Sequence, residues 1–221
     1  MISHRDSLLL NISYFCIHKV LGGIIRLVWV KKVDGIINIP RTGGAIVAFN
    51  HQSYFDFLCF VAICPRQIHF LAAEKFFDHP LWKPLMVLTK QIRVDRTIHD
   101  KRLLHDLVQS HLNEGKLIGI FPEGTRSPDP ILMLSAFTGV AKYAIRGSVP
   151  VVPVGIKGTY DVMAKHDKRP KLSKRVEIIV GTPISFSEYH HSKLNKKAFR
   201  VLTDKIMLNI ADLSGKKYEH A

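Results

Sequence analysis

Two short apolar runs, each breaking into a chemically loaded turn, constrain this chain more than any other feature. Ala45-Ile46-Val47-Ala48-Phe49 leads into Asn50-His51-Gln52-Ser53-Tyr54-Phe55-Asp56. Leu117-Ile118-Gly119-Ile120-Phe121 leads into Pro122-Glu123-Gly124-Thr125-Arg126-Ser127. A short apolar run closed by turn residues reads as a buried strand. Open α/β sheets bind ligands beyond the carboxyl ends of their strands. The sequence therefore predicts an α/β domain, a mixed β-sheet flanked by helices, with both turns on one edge.

In the first turn, Ser53 and Asp56 have the spacing of an S-x-x-D capping box, so a helix is expected to start there. That start matters for His51. Five positions along a regular helix would not put His51 and Asp56 on one face, whereas a strand-to-helix turn can fold them together. Asp56 would then hold the Nδ1 proton of His51 and leave Nε2 as a base. The bland alternative is that Asp56 only caps the helix and His51 only satisfies a loop. In the second turn Gly124 permits close backbone approach. Thr125 offers a hydroxyl, and Arg126 offers a planar fork that matches phosphate. There the bland alternative is a strand-end turn with an internal Glu123–Arg126 pair.

At 221 residues the chain suits one domain with a substantial core. A hydrophobic fraction of 47% argues against disorder. The formal net charge of +14 calls for an anionic partner: nucleic acid, an anionic membrane surface or a phosphorylated substrate. Nucleic acid is disfavoured, because no aromatic–basic RNA-binding motif or recognition-helix pattern is present. Cys16, Cys59 and Cys64 are odd in number and sit among apolar neighbours, so they read as reduced core residues. No His/Cys spacing reads as a metal site.

The two turns, in this order, resemble the glycerolipid acyltransferase family that includes the lysophosphatidic acid acyltransferases. The resemblance runs from about residue 33 to 184. It implies transfer of a fatty acyl group from an acyl-CoA or acyl carrier protein thioester to the sn-2 hydroxyl of 1-acylglycerol 3-phosphate, giving phosphatidic acid. No cofactor or metal is expected. His51 is implied as general base with Asp56 orienting it, and Glu123, Gly124, Thr125 and Arg126 as the site of the acceptor's glycerol phosphate. Arg96 matches a further phosphate-binding arginine, although Thr89-Lys90-Gln91 replaces the usual glycine and Arg93 a usual apolar residue. Phe137 stands where many members carry lysine. Two rivals remain: the same chemistry on glycerol 3-phosphate or another lysolipid, and a non-catalytic basic membrane- or nucleic-acid-binding module.

Residues 1–30 form a separate segment ahead of an acyltransferase domain at 31–221. His4, Asn11, His18, Gly22 and Arg26 recur on one helical stripe, and the remaining circumference is apolar. His18, Lys19 and Arg26 interrupt the run a spanning helix would need. The segment is expected to lie in the bilayer interface at the cytoplasmic face of a membrane; an ordinary helix packed on the domain is the alternative. Further on, periodicity predicts helices near 99–113, 131–145 and 196–213, and a broken helix over 76–90. Strands are expected at 69–72, 92–96 and 176–181. Pro150 and Pro153 argue against a regular central strand at 149–156.

Overall fold

The computed structural model describes residues 19–221, apart from 81, 96, 98–100 and 190–191. Helix α1 is described over residues 19–28 and leads into β1 (Val30–Asp34). The strand β2 (Ala45–Phe49) is buried at every position, as its unbroken apolar run requires. Its side chains divide between the two faces of the sheet. Ile46 and Ala48 join one core, while Ala45, Val47 and Phe49 join the other.

The chain continues through α2 (Tyr54–Ile63), β3 (Ile68–Ala73), α3 (Lys75–Asp78), α4 (Lys83–Leu88) and β4 (Ile92–Val94). Then come α5 (Arg102–Asn113), β5 (Leu117–Ile120), α6 (Gly139–Arg146) and β6 (Val151–Lys157). It closes with α7 (Thr159–Val162), β7 (Val176–Val180) and α8 (Lys196–Ser214). The strands form one seven-stranded sheet in the order β1-β7-β6-β2-β5-β3-β4. All neighbours run parallel except β6 and β7, so the sheet is mixed. One face is covered by α5, α6 and α8 through Val108, Leu112, Val140, Ala141 and Ile206. The other is covered by α2 and α7, with Phe55, Cys59, Phe60 and Val162 packed beside Trp29.

Two expectations about these elements are corrected. The prolines do not exclude a strand: β6 lies between β7 and β2, and Pro153 sits opposite Ala48 in its register. The β6–β7 ladder runs only from Val154↔Val180 to Lys157↔Glu177. Pro153 lies one residue past its end, where its carbonyl accepts from Gly181 N–H at 2.8 Å. A residue's N–H and C=O point to the same side of a strand, so the missing N–H falls at the margin of the β6–β7 ladder, opposite Gly181, and removes a single bond there. The helix expected from 131 starts only at Gly139, because 131–137 is held in irregular backbone by bonds to other segments.

In α1, Gly22 belongs to the stripe that sequence periodicity marks as polar. It faces α2 instead, where an added Cβ would lie 3.4 Å from Ala62 Cα. Val20, Leu21, Ile24 and Leu27 are exposed. Among the described residues, no helix is long and apolar enough to cross a membrane. Residues 1–18, on which most of the membrane-docking expectation falls, lie outside the described residues.

Candidate active site

β2 and β5 are parallel neighbours, so their carboxyl ends bring the two turns side by side. Asn50, fully buried, donates from Nδ2 to Ile156 O (2.9 Å) and accepts from Ile156 N–H (2.8 Å), fastening the exit of β2 to β6. Next, the His51 backbone is gripped from the second turn. Its N–H donates to Glu123 Oε1 at 2.7 Å, and its carbonyl accepts from Ser127 N–H at 2.7 Å. Two charged turns are thereby locked into one unit.

The capping box forms as the spacing predicts. Asp56 is wholly buried, and its Oδ2 accepts from Gln52 N–H, Ser53 N–H and His51 Nδ1, at 2.8, 2.8 and 2.9 Å. With Nδ1–H donating to Asp56, the neutral imidazole carries its lone pair on Nε2. The ring stacks on Phe121 with centroids 4.0 Å apart, and the side chain keeps 15% of its surface open to solvent. Residues five apart thus form one dyad because a helix N-terminus intervenes. Ser53 is spoken for: its Oγ donates to Met163 O at 2.7 Å and accepts from Phe55 N–H. Cys59 and Cys64 are buried, and burial pushes both thiols up, away from the thiolate form a nucleophile needs.

Both carboxylate oxygens of Glu123 are occupied, Oε1 by His51 N–H and Oε2 by Leu134 N–H at 2.8 Å. Burial pushes its pKa up to about 7, against the two amide bonds that favour the anion. Glu123 therefore shapes the turn. Gly124 adopts φ +67°, and a Cβ there would meet the Phe137 ring at 2.7 Å. Thr125 is exposed. The Arg126 guanidinium lies 3.8 Å from the Tyr54 ring centroid, and its buried Nη1 has no hydrogen-bond partner among the described residues. A guanidinium over an aromatic ring, with a buried donor unmatched by protein, has the chemistry to receive an anion. Arg96 lies outside the described residues. Arg93 pairs instead with Asp78, at 3.1 Å.

Sequence reasoning assigned no role to Tyr54 or Asn50, yet both lie inside the first motif; position in the motif was the only signal for them. The Leu134 amide that completes the Glu123 clamp carried no signal, because backbone donors are invisible in side-chain patterns.

The chain matches the family model described as Acyltransferase over residues 31–157. The chain belongs to the acyltransferase family. This acyltransferase is 25% identical over 203 residues to a 1-acyl-sn-glycerol-3-phosphate acyltransferase of Bacillus subtilis (strain 168), a match covering 91% of the chain and 96% of the relative. A 1-acyl-sn-glycerol-3-phosphate acyltransferase of Cocos nucifera is 26% identical over 153 residues, 68% of the chain and 49% of that longer protein. The fold matches the crystal structure of the 1-acyl-sn-glycerophosphate (LPA) acyltransferase PlsC from Thermotoga maritima. The TM-score is 0.67 at 21% identity, over 95% of this chain and 97% of that one.

Proposed function

We propose that this acyltransferase moves a fatty acyl group from a thioester to the sn-2 hydroxyl of 1-acylglycerol 3-phosphate, forming phosphatidic acid. One observation carries the reading: the His51–Asp56 dyad and the Arg126 turn are fastened together through Glu123 and Ser127. A base and an anion seat in one unit suit an acceptor with a hydroxyl near a phosphate. The relatives' names supply the acceptor class.

In the proposed step, His51 Nε2 takes the proton as the hydroxyl oxygen attacks the thioester carbonyl. The tetrahedral intermediate collapses, the C–S bond breaks, and the imidazolium returns the proton to the departing thiolate. No acyl-enzyme is formed, in keeping with the engaged Ser53 hydroxyl, and no cofactor takes part. Arg126 receives the phosphate, with Gly124 and Thr125 lining its approach and Arg96 as a second phosphate ligand. Phe137 is 71% exposed against Gly124, an apolar ring better suited to an acyl-bearing acceptor than to bare glycerol 3-phosphate. The exposed apolar side chains of α1 and the net charge of +14 support peripheral docking of residues 1–30 on the anionic cytoplasmic face of a membrane.

The test is phosphatidic acid formation by purified protein, with lysophosphatidic acid, glycerol 3-phosphate and other lysolipids as acceptors and with both acyl-CoA and acyl carrier protein as donors. Turnover confined to a different acceptor rejects the substrate assignment. Salt-sensitive binding without any transfer rejects catalysis. Membrane docking fails if protein lacking residues 1–30 still sediments with anionic vesicles.

A further inference from the structure

Tyr54, the ring under Arg126, is itself boxed in by two further rings. It opens α2, directly after the Ser53 cap. Phe76 on α3 meets it edge to face, with centroids 5.4 Å apart. Trp82, the N-cap of α4, lies 5.8 Å from it. Phe76 and Trp82 are 5.9 Å apart, again edge to face. Each ring thus neighbours the other two at separations that aromatic pairs favour. All three are half-buried, and none belongs to either hydrophobic core. Backbone bonds hold the segment that carries Phe76 and Trp82. Glu74 N–H donates to Val94 O at 3.1 Å, joining the exit of β3 to β4, and Trp82 N–H donates to His79 O at 3.1 Å.

The Tyr54 hydroxyl makes no hydrogen bond among the described residues, so what Tyr54 offers Arg126 is its ring. The guanidinium carbon lies 3.8 Å from the ring centroid, and Nη1 is buried without a partner. A free arginine side chain loses much rotamer freedom when an anion fixes it. A ring that holds the guanidinium beforehand takes part of that loss out of binding. We propose that Tyr54, buttressed by Phe76 and Trp82, is a positioning residue for acceptor binding. Its ring presents the Arg126 fork to the acceptor's phosphate, and the α3–α4 segment keeps the ring in place. The identity of the anion rests on the acyl-transfer reading; the placement of Arg126 does not.

The test compares Tyr54→Leu, Tyr54→Phe and Trp82→Leu with wild type, all in the full chain. Leucine keeps apolar bulk without a ring, and phenylalanine keeps the ring without the hydroxyl. Because Tyr54 adjoins the α2 cap, Trp82→Leu is the variant that leaves the turn of the dyad untouched. Proton–nitrogen NMR of the Arg126 Nε–H, assigned by its loss in Arg126→Lys, reads the placement. A proton over the ring is displaced upfield. That displacement should vanish in Tyr54→Leu, diminish in Trp82→Leu and persist in Tyr54→Phe. Acceptor KM should rise roughly 5–10-fold in both leucine variants, with kcat and donor KM within about 2-fold of wild type. Tyr54→Phe should match wild type. A purely structural role would instead lower kcat through loss of folded protein and leave acceptor KM alone. An Arg126 resonance unmoved in Tyr54→Leu, or an acceptor KM unchanged in both leucine variants, overturns the proposal. So does equal impairment of Tyr54→Phe, which would give the role to the hydroxyl. If the wild-type protein transfers no acyl group, the functional reading fails, while the resonance still decides whether Tyr54 places Arg126.

Discussion

Asp56 Oδ2 gathers three donors, and the consequence at the residue scale is that Asp56 cannot be varied without moving both the helix start and the imidazole. Asparagine has one carbonyl oxygen and no charge, so Asp56→Asn should weaken the hold on the Nδ1 tautomer. We expect kcat to fall on the order of 10²–10⁴-fold with acceptor KM little changed, and His51→Ala to fall as far. Near-normal turnover by folded His51→Ala protein would reject the mechanism. Arg126 is a different case: on the proposed reading its guanidinium over the Tyr54 ring and its unpartnered donor serve acceptor binding. Lysine keeps the charge but loses the planar fork. Arg126→Lys should therefore raise acceptor KM roughly 10–100-fold, with a smaller change in kcat. An effect confined to the acyl donor's KM would move Arg126 to the donor side.

Among elements, the close approach of α8 to β6 has the sharpest consequence. Gly155 lies directly under Leu213 and Ser214, and a Cβ there would strike main-chain atoms that cannot swing aside. Gly155→Ala should therefore cost about 1–3 kcal/mol, lowering the melting temperature by roughly 3–10 °C for a chain of this size. Gly23 is the control: it is helical and exposed, and nothing lies within 4 Å of its Cβ position. Gly23→Ala should instead stabilise by up to about 1 kcal/mol, because alanine gives up less backbone freedom in a helix. Calorimetry on the pair checks both signs. At the sheet edge opposite the site, Arg66 donates to the carbonyls of Pro40, Gly43 and Gly115. That staple ties together the chain just before β2, β3 and β5, the strands whose far ends carry or flank the site.

For the whole molecule, two buried groups set opposing pH slopes. His69 is 3% exposed, and burial pushes its pKa down from about 6.5 to about 4, although its ring bonds to Lys90 O. Between those values the unfolded chain takes a proton that the folded one refuses, so stability is lost as pH falls. Glu123 runs the other way. Folded, it keeps its proton up to about pH 7, while the unfolded carboxyl releases it near 4.5, so stability is lost as pH rises through that window. The two slopes offset each other in the wild-type protein. A variant separates them: the stability advantage of wild type over His69→Gln should shrink by about 2 kcal/mol between pH 7 and pH 5. Denaturant melts at the two pH values measure this, and a constant difference would remove His69 from the account.

Much of the active-site edge could be read in advance. Ala45–Phe49 had the length and unbroken apolar character of a buried strand, and Ser53 with Asp56 announced the helix start that brings His51 and Asp56 together. Such features are local: burial of a run and capping of a helix depend on residues a few positions apart. What tertiary structure decided depends on partners far along the chain. The strand order and the reversed β7 come from pairings across the sheet, which also put Pro153 just past the end of the β6–β7 ladder. Helical periodicity at 131–138 lost to bonds with Glu123, Pro122 and Lys217. Sequence thus specified the chemical groups and the local turns that present them. Only the packed sheet placed the dyad against the arginine turn, because backbone bonds between distant segments leave no pattern in side-chain spacing.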